Sequence, residues 1–254
     1  MGSFAMCQVW RMRDRQLRRK KIDWRHDHSH CLHCDYRLRW FDNIPIMSWI
    51  ALAGKCRKCH EPIGMAEILC EVGLAAVFVI SYLFWPFGFH NYIDIAPFLI
   101  FLVMLVALTM LFVYDLRWRR LPEKPLMFCV ICAVLFYVFR NWGAFSPSLL
   151  FDTLCSLAIL PGLFFVLYKG SGERLMGGGD YLLSIPFALM IGGPLLAFFV
   201  LFVSNLIGSL ISIPIVIRKK KNQLAAQVSF GPFLIIGFLI VFFLQNWITS
   251  LFFI

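Results

Sequence analysis

Charge is what this sequence has least of. Only 15% of its 254 residues are Asp, Glu, Lys or Arg, while 60% are hydrophobic and the mean hydropathy is +0.77. A water-soluble domain carries about 25% charged and about 45–50% apolar residues. That contrast excludes an ordinary soluble fold and makes the chain an integral membrane protein. No apolar stretch follows the basic residues near the amino terminus, so a cleavable secretory signal is not expected. Met6 stands where a myristoylation signal requires Ser or Thr, so Met1-Gly2 does not complete one. What is abundant is Phe, with 27 residues, more than a soluble core of this size would use.

The few charges are unevenly placed. Of 24 Lys and Arg, 13 lie in residues 1–66 and the rest sit in short loops, a pattern suited to anionic lipid on the cytoplasmic side rather than to nucleic acid. From Glu67 the apolar runs begin, and a span needs about 20 residues. Helices are predicted at roughly 67–85, 96–114, 125–140, 148–168, 181–193, 194–217 and 231–253, the third and fifth of them short. Gly192-Gly193-Pro194 marks a tight break between two of them. The expected fold is an all-α polytopic membrane protein of about seven transmembrane helices. A small cytoplasmic module at 1–66 precedes a multi-helix membrane domain at 67–254. With residues 1–66 inside, the inside loops 115–124, 169–180 and 218–230 carry 4, 2 and 4 Lys or Arg, so 23 of 24 lie inside and only Arg140 outside.

Against so few charges, two carboxylates stand out. Asp115 closes an apolar run in Tyr114-Asp115-Leu116, and Asp180 follows Gly177-Gly178-Gly179 directly before another. The positive-inside topology puts both on the cytoplasmic face. A carboxylate at the membrane boundary is costly and usually functional. Two facing ones form an acid/base dyad that shares a proton, because like charges at close range do not both ionise. The three glycines offer a backbone without Cβ atoms against which an extended peptide substrate can lie. The combination reads as a peptide-bond hydrolase at the membrane face.

Nine cysteines divide into two kinds. Cys31, Cys34, Cys56 and Cys59 form two Cys-x-x-Cys pairs separated by residues 35–55, a spacing suited to a closed structural Zn²⁺ site. In a cytoplasmic segment, metal binding is preferred to disulfides. His26, His28, His30 and His33 crowd the first pair and read as solvated loop residues. Cys129 and Cys132 make a third Cys-x-x-Cys inside an apolar run, where packing is the expected role.

These residues carry a family resemblance. The chain resembles the type IV prepilin peptidases, bacterial inner-membrane aspartyl proteases, nearly from end to end. The matching residues are Gly2-Ser3-Phe4, both cysteine pairs, Asp42-Asn43-Ile44-Pro45, Ser48-Trp49, Gly54 to Cys59, and Pro62-Ile63. Further on they are Asp115, Leu121-Pro122, the Gly-x-Gly-Asp at 177–180 and Phe230-Gly231-Pro232. The resemblance implies that Asp115 and Asp180 are catalytic and that a water attacks the leader junction of a type IV prepilin or a type II secretion pseudopilin. It also implies methylation of the new amino terminus with S-adenosylmethionine, with Glu71 as a candidate for methyl transfer. The chain departs from the family in having Leu182 at the usual lysine position and Met6 at an usual asparagine. In the family, Gly-Ser-Phe closes a first membrane helix, whereas only Met1 precedes it here. Either the protein has seven spans or the chain begins downstream of the family's usual start.

Two other readings compete. Presenilin-like and signal-peptide-peptidase-like proteases also pair Tyr-Asp with Gly-x-Gly-Asp, but do not ordinarily carry a Cys₄ module. A non-catalytic, zinc-containing membrane scaffold is the alternative outside enzymes.

Overall fold

The structure is a computed structural model, and it describes residues 2–18, 31, 33–34, 36–43, 47–62, 64–172, 177–218 and 229–252. His26, His28, His30, Ile44, Pro45 and Ile63, named above, lie outside the described residues, as do Arg174 and Lys219 to Lys221 among the basic residues counted in the inside loops. Among the described residues there is no β-strand, and Lys55 and Pro62 form an isolated bridge. The chain divides into two compact units, Met1–Ile80 and Ser81–Ile254.

The first unit contains α1 (Gly2–Arg18), a 3₁₀ turn at Trp40–Asn43, the short α2 (Met47–Ala51) and most of α3 (Met65–Leu83). Helix α1 starts flush against α3. A Cβ at Gly2 would lie 2.5 Å from the Cα of Glu71, so only glycine permits this approach.

In the second unit, α4 (Ile95–Trp118) and α5 (Glu123–Arg140) pack on each other, and α5 also packs on α8 (Gly178–Met190). Helix α9 (Pro194–Arg218) packs on α10 (Gly231–Phe252), which also meets α4 and α8. Between α5 and α8, the single helix predicted at 148–168 is interrupted. It runs as α6 (Pro147–Leu157), a π-helical turn at Ala158–Gly162 and α7 (Leu163–Gly170). Pro161 supplies the reason, since its ring displaces the carbonyl one turn back and removes an amide, and a wider turn absorbs both defects. Ser146 caps α6 by accepting the amide of Leu149 at 3.2 Å, with Pro147 at the first helical position.

Among the described residues, five helices are long and apolar enough to cross a membrane by length and composition. They are Met65–Leu83, Tyr92–Trp118, Pro147–Gly170, Pro194–Pro214 and Gly231–Phe252. The other two predicted spans are the short ones: α5 has 18 residues, and α8 has 13. At 1.5 Å per residue α8 reaches about 20 Å, well short of a hydrocarbon core of about 30 Å, while α5, nearly as long as Met65–Leu83, carries Glu123, Lys124 and Arg140 at its ends.

Lipid tails are as apolar as Leu, so helices in a bilayer are joined by close packing rather than by hydrophobic burial. Here aromatic rings do much of that packing. Phe101 stacks on Phe242 at 4.7 Å, Phe187 on Phe238 at 4.1 Å, and Trp85 lies among Phe98, Phe101, Phe136 and Phe242. Gly237 lets α10 press against Ser204 of α9, where a Cβ would overlap the serine hydroxyl. Cys129 and Cys132 are buried on α5 as packing residues.

Arg140, the one cation predicted outside, is folded inward. Its guanidinium donates to the carbonyl of Met190 at 3.1 Å and lies 4.0 Å over the ring of Phe87. It meets the negative end of the α8 dipole and an aromatic face together, which is how a largely desolvated cation is tolerated.

Candidate functional site

Asp115 sits in the last turn of α4 and is buried, with 5% exposure. Helix α4 stops just beyond it because Arg119 adopts the left-handed conformation (φ 53°, ψ 41°) and returns its amide to the Asp115 carbonyl at 2.8 Å. A carboxylate at a helix C-terminus faces the unfavourable end of its own dipole. Compensation comes from elsewhere in the chain. The Ser229 hydroxyl donates to Asp115 Oδ2, and the Gly231 amide at the start of α10 faces the same carboxylate. The positive end of α10 thus meets an acid carried by α4.

Asp180 lies in the first turn of α8, three residues after the extended Gly177 that caps it, and its amide returns to the Gly177 carbonyl at 3.2 Å. An acidic side chain in a first turn lies at the favourable end of the helix dipole. The two carboxylates are close enough to act on each other electrostatically. Among the described residues, no donor reaches the Asp180 carboxylate, in contrast to Asp115.

The three glycines are not equivalent. Among the described residues nothing lies within 4 Å of a Cβ at Gly177, and one at Gly178 would make ordinary contact with the Tyr168 ring at 3.5 Å. At Gly179 the same atom would lie 2.7 Å from Leu121 Cβ. Leu121 also lies 3.5 Å from the Cβ position at Gly231, where a side chain would overlap Asp115 Oδ2. Leu121 therefore packs between the turn carrying Asp180 and the turn facing Asp115. Leu182, at the family's lysine position, is half-buried in α8, one residue beyond Tyr181, whose ring lies 5.4 Å from that of Phe165.

In the first unit, the sulfurs of Cys31, Cys34, Cys56 and Cys59 all lie within 4.8 Å of one another, with Cys31–Cys59 at 3.8 Å and Cys34–Cys56 at 4.0 Å. A tetrahedral ion with Zn–S bonds of about 2.3 Å separates its sulfurs by about 3.8 Å, so the four residues fit the metal. Each pair sits on a turn closed by the backbone. The amide of Cys31 bonds to Tyr36 at 2.9 Å, and that of Cys56 to Glu61 at 2.9 Å. The backbone amides of Cys59 and then Lys58 draw the Cys56 thiol down to about 6, favouring the thiolate a metal requires. Glu61's amide pulls Cys59 the same way. Burial and the neighbouring sulfurs outweigh it, pushing that thiol up to about 12. Arg57, on the second turn, pairs with Asp42 at 2.9 Å and lies 5.0 Å over Phe41. Asp42 of the Asp-Asn-Ile-Pro motif thereby braces the cluster. His33 is exposed, and the cluster is complete without it. Glu71, in this same unit, stands against Gly2.

Sequence reasoning singled out neither Ser229 nor a clamping role for Arg140. A serine just before a helix ordinarily signals a cap, and a lone arginine outside ordinarily signals a solvated loop. Neither local signal reveals the distant partner that each one meets.

Fold and cysteine cluster together define a multi-pass membrane protein, all-helical among the described residues, with a four-cysteine cluster near its amino terminus whose sulfur spacing fits a metal ion. Residues 1–85 match the bacterial peptidase A24 N-terminal domain, and residues 99–213 match the type IV leader peptidase family. The prepilin leader peptidase/N-methyltransferase of Dichelobacter nodosus is 30% identical over 227 residues, covering 88% of this chain and 71% of that protein. The protein of the same name from Stutzerimonas stutzeri is 28% identical over 83% of this chain and 69% of its own. Its Vibrio cholerae counterpart is 26% identical over 96% and 92%. No solved structure matches the chain. The chain belongs to the type IV leader peptidase family.

Proposed function

We propose that this protein is a membrane aspartyl endopeptidase that removes the leader peptides of type IV prepilins or type II secretion pseudopilins. The single observation that carries the reading is that Leu121 packs against both Gly179, next to Asp180, and the Gly231 turn that faces Asp115, so that the two carboxylates, from the ends of two different helices, stand on adjoining turns within electrostatic reach. One carboxylate, ionised, takes a proton from a water, and the resulting hydroxide attacks the scissile carbonyl. The other, protonated, hydrogen-bonds the carbonyl oxygen as it gains charge. Collapse of the tetrahedral intermediate breaks the C–N bond, and the leaving amine receives a proton from the pair. Gly177 and Gly178, where an added side chain would clash with none of the described residues, are the places for an extended leader strand. Gly179 serves the packing instead, with Leu121 against it.

The Cys₄ cluster favours this reading over a presenilin-like one, because its sulfur spacing suits Zn²⁺ in a structural role. When bound, the zinc holds the two cysteine turns together. Every protein position in its shell is filled by a sulfur, which leaves the ion no part in the cleavage. The names of the relatives include an N-methyltransferase activity. They support S-adenosylmethionine as a second substrate and Glu71 as a residue to test for methyl transfer. The lysine and arginine distribution supports seven spans in the bacterial inner membrane, with both aspartates toward the cytoplasm.

The experiment is cleavage of a purified prepilin, read by the mass of the product's amino terminus. Asp115→Asn and Asp180→Asn each abolish cleavage while leaving membrane insertion intact, since each keeps the side-chain shape and removes a titrating group. Full cleavage by either variant overturns the aspartyl mechanism. A product heavier by one methyl group reports the second activity in the same measurement.

A further inference from the structure

We propose that Ser229 is a positioning residue of the aspartate pair, whose hydroxyl holds Asp115 Oδ2 and so sets the direction in which the other carboxylate oxygen is presented. The inference rests on the reading of Asp115 and Asp180 as the reacting acids.

Three observations converge on it. First, the contact is long-range: Ser229 precedes α10 and Asp115 ends α4, so no local turn brings them together. Second, the hydroxyl is left over by the cap of α10. The residue that caps α10 is Phe230, and Ser229 stands one residue ahead of it, so its side chain is not committed to the helix's own free amides. Here the carbonyl of Phe230 receives the amides of Phe233 and Leu234 at 3.0 and 3.1 Å, and the Ser229 hydroxyl donates to Asp115. Third, the serine is mounted on an anchored turn. The Phe230 ring meets Phe164 of α7 at 5.7 Å and lies 3.9 Å from the Cβ position of Gly208 on α9. Gly231 follows, with no side chain to intervene between the turn and the carboxylate.

A carboxylate has one soft terminal torsion. Its position on α4 is set by the helix end, but rotation about that torsion decides which oxygen points toward Asp180 and the attacking water. A hydroxyl on one oxygen removes this freedom before substrate arrives. Misplacing a reacting group by about 1 Å can cost about 100-fold in rate.

The test uses the full chain in detergent or lipid with a purified prepilin. The Ser229→Ala, Ser229→Thr and Asp115→Asn proteins are compared with the parent for kcat, KM, melting temperature and metal content. Ser229→Ala is expected to lower kcat about 10- to 100-fold with KM changed less than about threefold. Ser229→Thr, which keeps the hydroxyl, is expected to recover kcat to within about threefold of the parent. Melting temperature and metal content stay at the parent's values in both. Parental kcat in Ser229→Ala overturns the proposal. So does a Thr variant as slow as the Ala variant, or an Ala defect that appears as lost stability. Full cleavage by Asp115→Asn instead overturns the aspartyl reading itself, whereas an inactive Asp115→Asn beside a fully active Ser229→Ala overturns only the role of Ser229.

Discussion

Leu121 occupies the space that a side chain at Gly179 would need. A Cβ there would lie 2.7 Å from Leu121 Cβ and 3.0 Å from its Cδ1. One leucine just past α4 therefore sets how closely the turn carrying Asp180 approaches the helix carrying Asp115.

That contact separates the glycines by experiment. Gly179→Ala forces Leu121 or the α8 start to move, at a cost of about 1–3 kcal/mol, and is expected to lower cleavage sharply. Gly177→Ala meets none of the described residues and is expected to leave stability unchanged. Melting temperatures and cleavage rates of the two variants check this. Leu121→Ala with Gly179→Ala is expected to recover part of the lost stability, because the smaller side chain gives back the missing room.

The cysteine cluster makes a metal prediction. Purified, reduced protein is expected to contain one zinc per chain, and to lose it in Cys31→Ser or Cys56→Ser. Thiolates bind the metal and protons compete for them, so zinc retention should fall as the pH is lowered. Elemental analysis across a pH series measures both effects. Well-folded, reduced protein without zinc is the contrary result.

Arg140 gives a test far from the aspartates in sequence. Arg140→Met removes the donor to the Met190 carbonyl and the cation over Phe87. Loss of a charged hydrogen bond of this kind costs about 1.5–3 kcal/mol, so a lower melting temperature is expected. Because α8 is held by Arg140 at one end and carries Asp180 at the other, cleavage should fall as well. Arg140→Lys retains the charge but not the planar fork, and is expected to recover only part of the stability.

Orientation is checked with reporter fusions. Those after residues 120, 175 and 222 are expected to report cytoplasm, and those after 90 and 145 the opposite side. The 23-to-1 distribution of Lys and Arg motivates this. A report from the far side at 175 would place the two aspartates on different faces of the membrane, and the dyad reading would not survive it.

Much of this molecule is readable without coordinates, for two physical reasons. A helix in lipid must satisfy its own backbone, so runs of apolar residues translate directly into helices. The predicted 96–114 and 194–217 appear as Ile95–Trp118 and Pro194–Arg218. Cys-x-x-Cys pairs constrain sulfurs over a few residues, and the four thiols do converge. Asp115 and Asp180 were legible because charge is scarce and both interrupt apolar runs.

Tertiary structure alone decided what those residues meet. The π-turn at Ala158–Gly162 is the nearest to a local effect, yet Pro161 specifies only a defect, not how the helix absorbs it. The different fates of Gly177 and Gly179 depend on Leu121, more than 50 residues away. The hydroxyl on Asp115 comes from Ser229, 114 residues further on, and Arg140 reaches the end of a helix 50 residues on. Hydrophobic period and motif spacing report forces acting within one helix or one turn. Which oxygen, carbonyl or ring a polar side chain finally meets depends on how separate helices pack, and that is settled by close contact between distant parts of the chain.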